Sequence, residues 1–225
     1  AMWEEAELLV KEFALTEKQS FWPQFPVYEG EYKGKTILVT VCGIGKVYAA
    51  MTCQKVIDDF SPDVVLNLGI AGGVAKGIFP GDICISSDFV QYDYDLSAVG
   101  RSVGQIDDFP FLKLPADETV ASLLHTLALE KASGNVFLGT VGTGDRFVSS
   151  SELASHLNET FGAVCCEMEG AAMAQVCVLN RVRFCALRAI SDNANEDAHT
   201  DVEAFSQKAE REATDVIKVF FDSDF

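Results

Sequence analysis

The sequence predicts an α/β domain with a largely parallel sheet covered by helices on both faces. Short apolar segments rich in β-branched residues alternate with longer amphipathic segments along the chain, as expected of strands joined by crossover helices. Several apolar segments end in glycine or acidic residues, which marks the ends of buried strands. A length of 225 residues with 48% apolar content suits one domain over residues 1–225 with a sizeable core.

The first part of the chain is predicted to form helix, turn, strand and helix. Residues 4–13 are amphipathic and predict a helix. Residues 21–31 are aromatic and contain proline, and residues 33–35 (KGK) predict a hairpin-type turn. β-Branched residues predict a strand at 36–42, followed by a glycine-opened helix at about 45–60.

The middle of the chain continues the alternation. Residues 64–68 predict a strand that ends in a glycine-rich segment, and residues 82–90 predict another. A polar and aromatic loop is expected at about 91–115. An amphipathic helix at 117–130 and a strand at 135–141 follow.

The last third is expected to hold the remaining elements. Helices are predicted at about 151–160 and 170–179, and a strand at 184–190. The apolar residues 164–166 between the two helices predict a short buried strand. A long amphipathic helix is predicted at about 201–221.

The overall charge disfavours some classes of partner. The net charge of −17 argues against nucleic acid, because phosphate backbones require a cationic face. No window reaches about 18 uninterrupted apolar residues, so no membrane-spanning helix is expected. The sequence contains no charged segment followed by an apolar one of the kind found in secretion signals, so such a signal is not expected within these residues.

Cysteine and histidine usage predicts a cytoplasmic protein without a metal. The seven cysteines are an odd number and lie mainly in apolar segments, where free cysteine acts as a small hydrophobe. No C-x-x-C occurs, and the three histidines are scattered. A metal site is therefore not expected, and a reducing compartment is favoured.

Two glycine-rich loops follow predicted strands. Gly43-x-Gly45-x-x-x-Ala49 is a degenerate dinucleotide fingerprint, but the next strand ends without the acid that would hold a ribose. An NAD site is therefore disfavoured and no cofactor is expected. Both this loop and the one at residues 69–73 expose backbone N–H groups that could bind a phosphate, a carboxylate or a polarised water.

The most informative residues are charged groups that follow two predicted strands. Glu167 and Glu169 follow one apolar segment, and Arg188, Ser191 and Asp192 follow the next. Such groups are costly to bury unless they pair or do chemistry. One alternative is structural, an Arg188–Glu169 ion pair with Asp192 capping the following helix.

Five sequence stretches together carry a resemblance to a known superfamily. They are AMWEE (1–5), GIGKVYAA (43–50), NLGIAGG (67–73) with GD (81–82), GDRFV (144–148), and CEMEGAA (166–172) with RAISDNAN (188–195). In this order and spacing the chain resembles the nucleoside phosphorylase and nucleosidase superfamily, and within it the methylthioadenosine/S-adenosylhomocysteine nucleosidases.

The resemblance implies a fold, a reaction and an assembly. The fold would be a three-layer α/β/α sandwich around a mixed, largely parallel and partly barrel-like sheet, in a homodimer. The implied activity is hydrolysis of the N-ribosidic bond of 5′-substituted adenosines, such as methylthioadenosine, S-adenosylhomocysteine or 5′-deoxyadenosine, with release of adenine. The ligand would be a small nucleoside, and no cofactor is implied.

The resemblance also assigns roles by position. Asp192 matches the acid that protonates the purine N7, Ser191 supports it, and Glu5 matches the base that activates water. The expected substrate-binding residues are Glu169 and Met168 at the ribose, Phe147 stacking on the base, Val148 reading its edge through the backbone, Arg188 beside Glu169, and Ser191, Glu167 and Ile70. Ile70 stands where the closest relatives often have a hydroxyl residue near the water.

The chemistry of glycosidic cleavage agrees with these roles. The oxocarbenium-like transition state needs an acid for the leaving group and a base for water on the opposite face. Adenine is a poor leaving group unless protonated, so we expect burial to raise the pKa of Asp192 from about 3.9. A carboxylate at the ribose hydroxyls is useful because its bonds strengthen as the sugar becomes positive.

Three alternatives stay open at this level. A phosphorylase of the same fold would use phosphate in place of water, although only Lys46 lies near the glycine-rich loops. A nucleoside-binding protein without turnover would be expected to lack Asp192 or Glu5. A nucleosidase for another substrate, such as aminodeoxyfutalosine, is the third.

Two further expectations concern the ends of the site. The resemblance implies an apolar strand before Ala1, so the sequence is expected to lack or to follow such a segment. The loop at residues 99–111, with Asp107 and Asp108, is expected to complete a polar 5′ pocket together with a second subunit, and the alternative is that these two acids only keep the loop soluble.

Overall fold

The computed structural model describes residues 1–195 and 197–223, with the backbone alone for residues 200–209. The strands are β1 (Thr16–Trp22), β2 (Phe25–Tyr32), β3 (Lys35–Thr40), β4 (Val64–Gly73), β5 (Ile83–Gln91), β6 (Leu114–Pro115), β7 (Val136–Thr143), β8 (Ala163–Glu167) and β9 (Arg183–Asp192). The helices are α1 (Trp3–Glu12), α2 (Lys46–Phe60), α3 (Glu118–Lys131), α4 (Ser151–Phe161), α5 (Gly170–Asn180) and α6 (Ala198–Asp222), with a short 3₁₀ turn at Ser97–Val99.

The main sheet is mixed and closes on itself. Its strand order is β6-β5-β7-β8-β4-β9, and β5 also pairs with β9. The pairs β4–β9, β5–β7 and β7–β8 are parallel, whereas β4–β8 and β5–β9 are antiparallel. The predicted α/β class with a mixed, largely parallel sheet is confirmed.

The sheet closes further than the partly barrel-like sheet of a three-layer sandwich that was expected. Register shifts interrupt the ladders at Ser86/Asp88, Ala71/Gly72 and Thr140/Val141, and such bulges increase strand bending and twist. The curvature brings Ile83–Ile85 of β5 against β9. Five strands therefore form a closed barrel, with helices packed on its outside.

Helices bury the outer surface of this barrel on two sides. One apolar cluster joins α1, α3 and α6 to the barrel, with Leu9, Leu124 and Ile217 buried. A second joins α2 and α5 to it, with Ala49 and Cys177 buried. The small residues on α2 and α5 allow these two helices to pack closely.

The hairpin β1–β2 was not predicted from the sequence. The first five residues of β1 are exposed, so they carry no alternating apolar pattern. Pairing with β2, from Thr16 opposite Glu29 to Trp22 opposite Phe25, holds the strand instead. The turn before β3 was predicted correctly: Lys33 and Gly34 both have positive φ, 50° and 79°, as a tight hairpin turn requires.

A cavity separates the small sheet from the barrel. The first residues of β4 pair with β9 along one edge only. The other edge faces β3 across a cavity of about 730 Å³, lined by Val39, Thr40 and Leu66 among others. The expected strand before Ala1 stays a prediction, because it concerns residues outside the sequence.

Three further features bear on the class of protein. Within the described part of the chain, no helix is both long and apolar enough to cross a membrane. The same residues contain no group of three or more His, Cys, Asp or Glu side chains suited to holding a metal ion. All seven cysteines are free and buried.

Candidate active site

The parallel pair β4–β9 brings the predicted charged residues to one end of the barrel. Gly69 pairs with Arg188, and Gly72 pairs with Asp192. On the other side of β4, Gly72 and Gly73 pair with Cys166 and Cys165 of β8, directly before Glu167. The glycine-rich and acidic sequence stretches therefore meet at strand ends, as expected in sheets of this class.

Glu5 reaches this site from the first turn of α1. Its Oε1 accepts a hydrogen bond from the backbone N–H of Ile70 at 3.0 Å, and its Oε2 accepts one from the N–H of Met2 at 2.8 Å. A side chain at residue 69 would overlap both Glu5 Oε1 and Arg188 Nη1. Gly69 is therefore required for the close approach of this acid and this arginine to β4.

The surroundings of Glu5 favour its ionised form. Burial alone would raise the pKa of Glu5, and the positive charge of Arg188 lowers it. Hydrogen bonds to a carboxylate favour its charged form in the same way. A buried, ionised carboxylate of this kind can accept a proton.

Asp192 lies at the end of β9, where its carboxylate contacts neighbouring groups. Its Oδ2 accepts the hydroxyl hydrogen of Ser191 at 2.8 Å, and its Oδ1 accepts the N–H of Ala194 at 2.7 Å. Asp192 is 3% exposed. A Cβ on Gly72 would lie 2.8 Å from Oδ1, so a second glycine of β4 makes room for a second acid.

Arg188 and Glu167 form the buried centre of the site. The Arg188 guanidinium contacts Glu167 and Asn67 closely, and its distance to Glu169 Oε2 is 3.9 Å. The sequence prediction placed Arg188 beside Glu169. Its closer partner is Glu167, because that side chain points from β8 towards β9.

Glu167 makes further contacts within the protein. It accepts the Thr143 hydroxyl hydrogen and the backbone N–H groups of Glu169 and Gly170, the last two at 2.9 and 2.7 Å. The Glu167 carboxylate thus binds N–H groups at the start of α5, where the helix dipole favours a negative charge. Each contact of Glu167 holds a neighbouring residue in place.

Glu169 is oriented by the loop before α2. Its Oε1 accepts the N–H of Gly45 at 2.8 Å, and Gly45 has φ of 102°, a conformation that favours glycine. Burial and the negative charge of Glu167 raise the pKa of Glu169, and the opposing effect of Arg188 is smaller. The acid is buried and close to other charges, but Oε2 has no closer ion-pair contact than the 3.9 Å one.

The remaining predicted residues lie around these acids. Phe147 is 51% exposed, whereas Val148 is buried against Ala194, in the loop that follows Asp192. Met168 is half-buried between the two glutamates of β8 and α5. The Ile70 side chain packs against the core, so this residue contributes its backbone N–H to Glu5.

The sequence reasoning did not single out two residues that shape the site. These are Asn67, which binds Arg188, and Thr143, which binds Glu167 and accepts the N–H of Ala171. Both lie in or beside the motifs that carried the resemblance, and their polar character within or at the end of apolar strands was the available signal. The loop at Gly43 and Gly45 was expected to offer backbone N–H groups to a carboxylate, and Gly45 donates one to Glu169.

The charges of the site are mostly negative. Glu5, Glu167, Glu169 and Asp192 lie near one buried arginine, which Glu167 already neutralises. Lys46 lies at the start of α2, but its ammonium pairs with Asp93 at 2.6 Å. The arrangement suits a neutral ligand that becomes positive during a reaction better than it suits an anion.

Comparison with known proteins gives consistent results. Residues 1–222 match the phosphorylase superfamily. The 5′-methylthioadenosine/S-adenosylhomocysteine nucleosidase of Shewanella halifaxensis is 38% identical over 188 residues, covering 80% of this chain and 78% of the relative. The protein of the same name from Anoxybacillus flavithermus is 35% identical over 193 residues, covering 85% and 83%.

Solved structures of similar proteins cover nearly the whole chain. A Helicobacter pylori 5′-methylthioadenosine/S-adenosylhomocysteine nucleosidase mutant, with 5′-methylthioadenosine in its active site, has a TM-score of 0.93 at 31% identity and covers 99% of this chain and 95% of its own. The futalosine hydrolase of the same species has a TM-score of 0.92 at 32% identity, covering 99% and 94%.

Proposed function

The chain belongs to the phosphorylase superfamily, and within it to the 5′-methylthioadenosine/S-adenosylhomocysteine nucleosidases, and we propose that its barrel-end site hydrolyses the N-ribosidic bond of 5′-substituted adenosines. The protein is an N-ribosyl hydrolase that releases adenine. The observation that carries this function is the placement of two buried carboxylates, Glu5 and Asp192, at two glycines of one strand.

The spacing of these two acids supports a base and an acid on opposite sides of a bond. Glu5 lies against Gly69 and Asp192 against Gly72, and three residues of a strand span about 10 Å. Hydrolysis by direct water attack needs its two carboxyl groups roughly 6.5–9.5 Å apart, so that the water and the sugar fit between them. The two acids therefore approach β4 at separate points along the strand, as a base and an acid with different partners require.

Asp192 is proposed as the general acid and Glu5 as the general base. Protonation of the purine N7 by Asp192 turns adenine into a neutral leaving group, and the Ser191 hydroxyl orients the carboxyl. Glu5, ionised and held by the N–H groups of Met2 and Ile70, removes a proton from water as it attacks the sugar. The bonding of Glu5 favours the ionised form that a base needs.

The substrate would lie between these acids and the residues around them. We assign the ribose hydroxyls to Glu169, whose carboxylate Gly45 orients, and the adjacent sugar face to Met168. Phe147 would stack on the base from its exposed position, and the backbone of Val148 would read the base edge. A carboxylate at the ribose stabilises the positive charge that the sugar gains in the transition state.

Glu167, Arg188 and Ile70 are proposed to position other groups. Glu167 and Arg188 bond to each other and to surrounding protein atoms, so they fix the start of α5 and thereby Glu169. Ile70 holds Glu5 through its N–H, which needs no hydroxyl side chain.

The charge of the site favours water over phosphate. An attacking phosphate needs cationic partners. Within the described residues, Arg188 is neutralised by Glu167, and Lys46 pairs with Asp93. A phosphorylase is therefore the weaker alternative.

A second candidate is the same hydrolysis on a larger 5′ substituent. A futalosine hydrolase has the same fold at 32% identity, and Asp107 and Asp108 are exposed, so they are accessible to a polar substituent. Asp107 already pairs with Arg101 at 2.9 Å, which weakens its attraction for a cationic group.

One assay separates these functions. Purified protein is supplied with methylthioadenosine, S-adenosylhomocysteine, 5′-deoxyadenosine or aminodeoxyfutalosine, each with and without phosphate, and free adenine is measured. We expect adenine release without phosphate, with a preference among the four. Strict phosphate dependence would establish a phosphorylase, and absence of any release would leave a binding protein.

We further propose a homodimer. Ile44, Val47, Tyr48 and Met51 are 54%, 76%, 45% and 37% exposed. Three of them repeat along one face of α2, beside the Gly45 that binds Glu169. A second copy of the chain covering this face would complete the site and remove an exposed apolar patch from water.

We also propose that the protein acts in the cytoplasm. All seven cysteines are free, which suits a reducing compartment.

A further inference from the structure

A small cavity lies behind Glu5, on the side of α6. Its volume is about 10 Å³, and its lining includes Glu5, Leu9, Gly69, Glu210 and Thr214. This volume is close to the lower limit for one water molecule, which also needs two to four polar partners. Most of its lining is apolar, and the polar residues beside it are Glu5, Glu210 and Thr214, which are the candidate partners of such a water.

Glu210 is an acid in an unusual position. It lies half-buried on α6, faces the same cavity as Glu5, and has Glu4 and Glu7 of α1 nearby. Burial, then the negative charges of Glu5, Glu4 and Glu7, raise its pKa to about 7. Arg188 of β9 acts on Glu5, and the residues that β4 brings to the cavity, Leu68 and Gly69, do not titrate.

The proposed reaction creates a need for proton transfer in each turnover. Glu5 gains a proton from the attacking water, and Asp192 loses one to adenine. Before the next turnover Glu5 must release its proton. The Glu5 carboxyl group is buried within the protein, so its proton needs a route to bulk water.

We propose that Glu210 accepts the proton of Glu5 through one water in this cavity and passes it to solvent. In that step the Glu5 carboxyl O–H breaks, the cavity water relays the proton, and a new O–H forms on Glu210. The inference rests on the proposed hydrolase function and assigns Glu210 as a positioning residue, because it does not touch the substrate. Glu210 suits the task because it is half-buried and therefore reaches solvent.

The chemistry of paired acids favours this direction of transfer. Two nearby carboxylates resist being ionised together, so one of them binds protons more strongly. Here that acid is Glu210, since Arg188 favours the ionised form of Glu5, whereas burial and the negative charges of Glu5, Glu4 and Glu7 favour the protonated form of Glu210. A proton that reaches Glu5 during catalysis therefore moves readily to Glu210.

The test compares Glu210→Gln with the wild-type protein and with Asp215→Asn, which removes an exposed carboxylate one turn further along α6. The readouts are kcat and kcat/KM for adenine release between pH 5.5 and 8.5, at several imidazole concentrations. In the wild type we expect kcat to rise through an ionisation near pH 7. In Glu210→Gln we expect that ionisation to vanish and kcat to fall about tenfold, with little change in kcat/KM.

Added imidazole should restore kcat in Glu210→Gln, because a soluble base can take the proton, and it should not affect the wild type or Asp215→Asn. Glu210→Asp keeps a carboxyl and should retain the ionisation. A wild-type kcat without an ionisation near pH 7, or a Glu210→Gln variant with wild-type kcat and no response to imidazole, would overturn the relay. Adenine release by the wild type is measured in the same experiment, so loss of the relay and loss of the hydrolase function give different results.

Discussion

Arg188 and Glu167 form an ion pair in the middle of the site, with side chains that are only 1% and 3% exposed. Glu167 also holds the N–H groups of Glu169 and Gly170. The pair thus connects the end of β9 to the start of α5, and it fixes the backbone from which Glu169 projects. A buried pair of this kind has a large effect when only one partner is removed.

Arg188→Met should therefore destabilise the protein by about 3–5 kcal/mol, because Glu167 is left as an uncompensated buried charge. Urea denaturation at pH 7 measures the free energy of unfolding. The matched control is Arg101→Met, which breaks the exposed pair with Asp107 and should cost about 1 kcal/mol or less. Equal costs for the two variants would contradict the central role of Arg188.

Asp192→Asn should lower kcat for adenine release by about 10²–10⁴, because the amide cannot donate a proton to the leaving base. Nucleoside binding should change little, since the amide oxygen can still accept the Ala194 N–H. Single-turnover assays and calorimetric titration separate the two effects. Ser191→Ala, which removes only the supporting hydroxyl, should give a smaller loss. A wild-type kcat in Asp192→Asn would rule out the acid assignment.

The sequence predicted these acids for a clear physical reason, and it missed others for an equally clear one. Charged residues at the ends of apolar segments, such as Glu167 and Asp192, stand out because burial is costly. The glycine-rich loop before α2 was expected to offer backbone N–H groups, but the sequence did not identify Glu169 as the partner of Gly45. The closure of the barrel depends on bulges such as that at Ala71/Gly72, and β1 is exposed. Neither a bulge nor an exposed strand leaves a periodic apolar pattern in the sequence.

Glu169→Gln should reduce kcat/KM for adenosine-type ribosides by about 10–100-fold, the usual cost of losing a charged hydrogen bond. The loss should be smaller for 2′-deoxyribosides, which lack one of the proposed partners. Initial rates with matched ribo and deoxyribo substrates provide the comparison. The Glu159→Gln variant, which changes an exposed glutamate of α4, serves as a control and should leave the rates with both sugars unchanged. Equal penalties for Glu169→Gln on the two sugars would exclude the ribose role.

Glu210 predicts a pH dependence of stability. Burial and nearby acids raise its pKa from 4.5 to about 7, so between these values the folded protein holds a proton that the unfolded chain has lost. This contribution is present below about pH 4.5 and is lost as the pH rises through about 7. Glu210→Gln should therefore melt about 1–2 °C higher than the wild type at pH 8 and at about the same temperature at pH 5.

Thermal melting of Glu210→Gln and Asp215→Asn at both pH values measures this difference. Glu210 is half-buried, and solvent screening therefore keeps the expected shift small. Asp215 is exposed, so its variant should melt like the wild type at both pH values. A lower melting temperature for Glu210→Gln at pH 8 would mean that the charged form of Glu210 stabilises the fold.

The apolar face of α2 gives the last prediction. Val47 is 76% exposed and Tyr48 45% exposed, and both follow the Gly45 that orients Glu169. If a second copy covers this face, Val47→Glu places a charge in the interface, where an unpaired buried charge is strongly unfavourable. Sedimentation should show a dimer for the wild type at micromolar concentration and a monomer for Val47→Glu. Because the site lies beside the interface, kcat/KM should fall about tenfold or more with the loss of the partner.

The control is Leu179→Glu, which changes another exposed apolar residue at the far end of α5 (66%). This variant should leave both the dimer and the activity unchanged. A wild-type monomer with full activity would show that one chain builds the site alone.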